Sequence, residues 1–177
     1  NELSAGPLHD SEGRLCQTGW ARREQKQYRQ SAIAAPWYRL KEWDYYCVAG
    51  DEYGVSFVIA DNGYMGLLSI TWLDFKNRET VADMRILPFP KGRMGMPESA
   101  DTGDIAVTYK GMTLDFRHVQ DGRRLILDCP SFDQGKGLGG EIFLAQPDMD
   151  RMVIATPFDH SPQAFYYNQK INCMAAT

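Results

Sequence analysis

The chain has no surplus of positive charge. Its 19 Lys and Arg stand against 23 Asp and Glu, a formal net charge of -4. A phosphate backbone would meet no cationic surface, so no nucleic-acid partner is expected. It also lacks any unbroken apolar run of roughly eighteen residues, so no membrane span is predicted. The opening NELSAGPLHD has neither a cationic start nor an apolar stretch, and the expectation is a soluble, cytoplasmic chain. Close cysteine pairs are missing: Cys16, Cys47, Cys129 and Cys173 form no CxxC or CxxH, which leaves buried thiols as the reading rather than a zinc site or a disulfide framework. His9, His118 and His160 share no ligand spacing, so no metal and no cofactor is expected. No G-x-S-x-G marks a nucleophile. The GKGLGG stretch at 135–140 lacks the Gly-Lys-Ser/Thr of a phosphate loop and runs into EIFLA, which reads as a strand. It is read as a hairpin loop needing unusual dihedrals.

Long helical periodicity is absent too, and what remains is alternation. At 177 residues the chain can bury a core without metal or disulfide support. Residues 1–37 are read as an N-terminal arm of coil, with a short helix over WARREQKQYRQSAIAAP that Pro36 would end. Residues 38–177 are read as an antiparallel β domain. There KEWDYYCV sets Trp43, Tyr45 and Cys47 on one face and Glu42, Asp44 and Tyr46 on the other. Val55, Phe57 and Ile59 alternate with Ser56 and Val58, Asn62-Gly63 signals a two-residue hairpin, and Tyr64 to Phe75 is a strand apolar on both faces. Thr80, Ala82, Met84 and Ile86 then oppose Asp83 and Arg85. A Pro- and Gly-rich loop spans 88–104. Beyond it Met112, Leu114 and Phe116 alternate with Thr113, Asp115 and Arg117, and Asp121-Gly122 turns the chain into RRLILDC. EIFLA, RMVIAT and AFYYNQKINCM are further strands. The predicted fold is all-β: an antiparallel meander curled into a barrel or a strongly curved sheet, with a two-sheet sandwich as the alternative.

Two strands carry chemistry on both faces. On the last one Phe165, Tyr167 and Ile171 share a face, opposite Tyr166, Asn168, Lys170 and Asn172. Polar rows of this kind either meet water or orient a guest inside an apolar wall. Trp43, Tyr46, Tyr166, Asn168 and Asn172 are the ligand-binding candidates. Glu42, Asp44 and Lys170 are the catalytic candidates, with Lys170 pairing Glu42 or Asp44 if the two rows meet.

The segments GWARREQKQYRQSAI, RLKEWDYYCVAG, DNGYMGLLSITWLDF and FYYNQKINCMAA resemble the uncharacterised bacterial family DUF2804 over nearly the whole chain. The motif positions that carry the likeness are Lys41 to Tyr46, then Asn168 and Lys170 to Cys173. The resemblance implies no activity. It implies a chain about half the length of its relatives, hence a second β-rich domain or subunit as partner. The family is distantly similar to double-calycin proteins of the hydroxyneurosporene synthase/AttH-like kind, which implies a calycin-like barrel and an apolar guest. Three readings stand together: a module binding a small, largely apolar molecule, a hydratase, isomerase or cyclase acting on a lipid-like substrate, and a structural half that packs on another domain.

Overall fold

The computed structural model describes residues 1–159, 161–172 and 174–177. His160 and Cys173 therefore lie outside the described residues. The strands in chain order are β1 (Gly6–Pro7), β2 (Gly19–Ala21), β3 (Lys26–Gln27), β4 (Glu42–Ala49), β5 (Tyr53–Asp61), β6 (Met65–Asp74) and β7 (Glu79–Pro88). They continue as β8 (Ile105–Tyr109), β9 (Met112–Val119), β10 (Gly122–Cys129), β11 (Leu138–Ala145), β12 (Met152–Phe158), β13 (Ser161–Lys170) and β14 (Ala175–Ala176). The all-β, antiparallel expectation holds. The pairs β4–β5–β6–β7, β8–β9–β10 and β2–β12–β13 are antiparallel, the two-residue β1–β3 pair is parallel, and among the described residues no sheet closes on itself. The helix expected before Pro36 does not form. That stretch holds β2, β3 and a single 3-10 turn, Gln30–Ala32. Its apolar side chains are too few for a helical face, and tertiary pairing overrides its propensity.

The chain divides into two compact units. The first comprises Asn1–Pro36, Pro97–Gly103 and Ala145–Ala175. Its sheet has the order β13-β12-β2, with Tyr167 opposite Ala155 and Ala155 opposite Gly19. Leu3, Leu8, Leu15, Ala21, Val153 and Ala155 form its core, with Tyr28, Phe165 and Tyr167 packed against it. The 97–103 segment is held by polar contacts. The Glu24 carboxylate accepts from Ser99 Oγ at 2.8 Å and from the Ala100 amide at 3.2 Å, and Arg151 pairs with Asp101 at 2.5 Å.

The second unit comprises Trp37–Met96, Asp104–Leu144 and Ala176–Thr177. It has a four-stranded sheet, β4-β5-β6-β7, and a five-stranded one, β14-β11-β10-β9-β8. Directly paired residues share a face. One face of the first sheet carries the rows Asp44/Ile59/Leu68/Arg85 and Tyr46/Phe57/Ile70/Asp83. It meets the face of the second sheet that carries Phe116/Leu125, Leu114/Leu127 and Met112. Phe57, Ile59, Leu68, Ile70, Met112, Leu114 and Leu125 are fully enclosed. Each is worth about 1.5–3 kcal/mol by area burial.

Turn chemistry sets the register. Lys110 and Gly111 both take positive φ, 46° and 74°, the pattern of a primed hairpin turn. The β5–β6 connection is three residues, Asn62 to Tyr64, rather than two. The buried Asp61 carboxylate widens it by accepting the Gly63 amide at 2.8 Å and the Met94 amide at 3.2 Å. Of the GKGLGG stretch, expected to be a loop throughout, only Gly135 to Gly137 precedes the strand, with φ 92° and 80° at its two glycines; Leu138, Gly139 and Gly140 already belong to β11.

The outer face of β4–β7 carries the rows Trp43/Ala60/Leu67/Ile86, Tyr45/Val58/Ser69/Met84, Cys47/Ser56/Thr71/Ala82 and Ala49/Gly54/Leu73/Thr80. None of these sixteen positions bears a charge. The charged rows of β4 and β7 instead point to the interior.

Candidate functional site

The alternation in β4 places Glu42, Asp44 and Tyr46 on the inner face beside Asp61, Ile59 and Phe57. On the facing sheet the Asp121 turn, with φ 61°, pairs His118 with Arg123 across the β9–β10 hairpin. These two pieces converge. The buried Arg123 donates from Nη1 to Tyr46 Oη at 2.7 Å, and its guanidinium carbon lies 5.8 Å from the centre of the Tyr46 ring. The same ring meets Phe116 edge-on, with centroids 4.8 Å apart. His118 donates its amide to Asp104 Oδ1 at 2.8 Å, and its Nδ1 lies 3.6 Å from the same oxygen.

Asp44 is half-buried within this group. Burial raises its pKa above the usual carboxylate value, against the opposing pull of Arg123 and His118. The Tyr46 hydroxyl is raised as well, by burial first, with the Asp44 charge adding to the shift and Arg123 opposing it. The outcome is a carboxyl group that gains a proton more readily than an exposed one, set beside a phenol and a fixed cation. Such a set can donate, accept and balance charge at the edge of an apolar interior.

Trp43 is on the outer face and 43% exposed. Tyr166, Asn168, Lys170 and Asn172 belong to the first unit, whereas Glu42, Asp44 and Tyr46 belong to the second. In β13 the Phe165/Tyr167 side packs on the first unit's core. Tyr166, Asn168 and Lys170 sit opposite Thr156, Ile154 and Met152, and Asn168 Nδ2 donates to Tyr166 Oη. Asn172 is exposed. Arg123 and His118 were not among the expected site residues. The signal for them was the Asp121-Gly122 turn, because a hairpin there sets 118 and 123 side by side on the Phe116 face.

A second polar group joins the sheets of this unit. Arg85, paired with Asp83, donates from Nη2 to Ser131 Oγ at 2.7 Å and from Nε to the Lys110 carbonyl at 3.0 Å. The buried Cys129 thiol lies 3.5 Å from Asp83 Oδ2. Arg85 holds the Asp83 carboxyl below its usual range. Its donors and acceptors are engaged with one another, which is the arrangement of a structural cross-link. Among the described residues no three His, Cys, Asp or Glu side chains converge as a metal site would require.

The fold and this cluster define an all-β module with a polar group set into an apolar inner face. The model of the family "Domain of unknown function (DUF2804)" matches residues 1–177, and the chain belongs to that family. No curated protein and no solved structure matches it.

Proposed function

We propose that the chain is a β-module that binds a small, largely apolar molecule and orients its polar group at Asp44, Tyr46 and Arg123. The observation that carries this reading is the direction of β4: its Glu42/Asp44/Tyr46 row turns to the apolar inner face while its Trp43/Tyr45/Cys47 row turns out. Polar groups placed sparsely in an apolar wall fix the pose of a guest, and the guest's hydrocarbon supplies the affinity. Keeping a carboxyl group where burial disfavours its charge costs stability. A site that binds or reacts is where such a cost is retained.

The test is a thermal-shift titration with palmitic acid and with geranylgeraniol, on the wild-type chain and on Tyr46→Phe. That substitution removes one hydroxyl and leaves the ring against Phe116. The reading expects a saturable rise in melting temperature for at least one probe, and an apparent affinity at least fivefold weaker in Tyr46→Phe. Equal affinity in both proteins, or no shift with either probe, would count against it.

The raised Asp44 pKa favours a second reading, an enzyme of the hydratase, isomerase or cyclase type in which Asp44 delivers a proton to a lipid-like substrate. Its signature is solvent deuterium entering a bound isoprenoid, lost in Asp44→Asn. A guest recovered without deuterium would leave the binding reading alone.

A further inference from the structure

We infer that His9 is an acid-sensitive latch: its neutral ring holds the Gln30–Ala32 turn, and a proton on that ring lets the turn go. The turn starts at Arg29, whose side chain makes no capping bond. The first amides of such a turn find no acceptor within it. Two side chains from distant parts of the first unit take them instead. The Arg29 amide donates to His9 Nε2 and the Gln30 amide to Glu98 Oε1, both at 3.2 Å. The His9 ring also meets Tyr28 edge-on, with centroids 6.3 Å apart. None of the three turn residues is buried, so bonds of this kind, not apolar packing, fix the turn.

A ring nitrogen that accepts an amide hydrogen carries no proton of its own. Protonation sets a donor against a donor. His9 is 6% exposed, so water has little access to repair the mismatch, and one side must move. The backbone around His9 is the firmer side. The Leu8 amide donates to the Gln27 carbonyl at 3.0 Å, the Cys16 amide to the Leu8 carbonyl at 2.9 Å and the Asp10 amide to the Arg14 carbonyl at 2.9 Å. The turn is the side that yields. The charged groups acting on His9 are Asp10, Arg29 and Glu98. Asp10 is already held by Arg14, whose Nε donates to it at 3.0 Å, and Glu98 by the Gln30 amide. Burial lowers the His9 pKa from 6.5, while the Asp10 and Glu98 charges oppose the shift and the Arg29 charge adds to it. The bond to the turn is therefore complete above about pH 6.5 and is lost as pH falls through the lower folded value. An ordinary carboxylate does not titrate in that range.

Hydrogen–deuterium exchange of the full chain tests this, followed on peptides spanning the turn and corrected for the pH dependence of chemical exchange. Protection at Arg29 and Gln30 is expected to fall roughly tenfold between about pH 7.5 and about pH 5, while that of β5 and β6 stays constant. In His9→Gln the carboxamide oxygen can accept the same amide and does not titrate, so protection is expected to hold steady across that range. In Glu98→Gln the wild-type fall is expected to persist, because the loss belongs to the histidine. A second measurement serves if His9→Gln does not fold. The midpoint of the wild-type loss must coincide with the titration of the His9 ring, followed by its carbon-bound proton resonance. Equal wild-type protection at both pH values, a fall of the same size in His9→Gln, or no fall in Glu98→Gln would each overturn the proposal. So would a loss that spreads equally over the strands, or a midpoint at odds with the His9 titration.

Discussion

Asp44 shows what one side chain adds to the fold and what it withholds. Folding raises its pKa above the ordinary 3.8, so the folded chain holds this proton more tightly than the unfolded chain does. The stability linked to that proton is fully present below about pH 3.8 and is lost as pH rises through the folded value. Asp44→Asn has no such dependence. Its melting temperature, taken relative to wild type, is therefore expected to climb between pH 4 and pH 8, as measured by scanning calorimetry in matched buffers. A constant difference across that range would show that the carboxyl group is as well solvated as in the unfolded chain. Glu42, Asp44 and Tyr46 were legible as a row from their spacing alone. Their partners were not, because Arg123 and His118 lie about eighty residues away in sequence and meet Tyr46 and Asp44 only through the packing of two sheets. Spacing fixes which residues share a face, not which faces meet.

At the level of elements the alternation was the strong signal and its direction the weak one. The runs around β4, β5, β7, β9 and β10 all read as strands of period two. In β9 the apolar row Met112/Leu114/Phe116 went inside, as hydrophobic burial alone dictates. In β7 the apolar row Thr80/Ala82/Met84/Ile86 went outside and Asp83 with Arg85 went in. The pairing explains it. Once Phe57 and Ile59 claim the inner face of β5, register forces Asp83 and Arg85 onto the same face, where Ser131 and Lys110 satisfy them. Turn residues carry the register itself, and they differ in how much each tolerates. At Gly63, with φ 76°, an added Cβ would sit 2.1 Å from the Trp37 carbonyl oxygen. At Gly111, with φ 74°, nothing lies within 4 Å. Gly111→Ala should then cost about 1 kcal/mol, the left-handed strain alone. Gly63→Ala should cost on the order of 3 kcal/mol, since strain and collision add there. Urea unfolding of both variants checks this, with the midpoint falling further for Gly63→Ala at an unchanged slope. Equal losses would mean that the Trp37 segment simply moves aside.

On the scale of the whole molecule, charge is distributed so that one face has none. The 42 charged residues of the chain lie away from the sixteen outer positions of β4–β7, and the net charge of -4 is carried elsewhere. The same distribution governs solubility. The sequence pI is about 5.4, so titration toward that pH removes the net repulsion between copies and leaves the uncharged face unopposed. Solubility should therefore be lowest between about pH 5 and about pH 6 and recover on either side, as the concentration left in the supernatant across a pH series measures. A steady fall in solubility with pH, with no minimum in that range, would mean that unfolding rather than lost repulsion takes the chain out of solution.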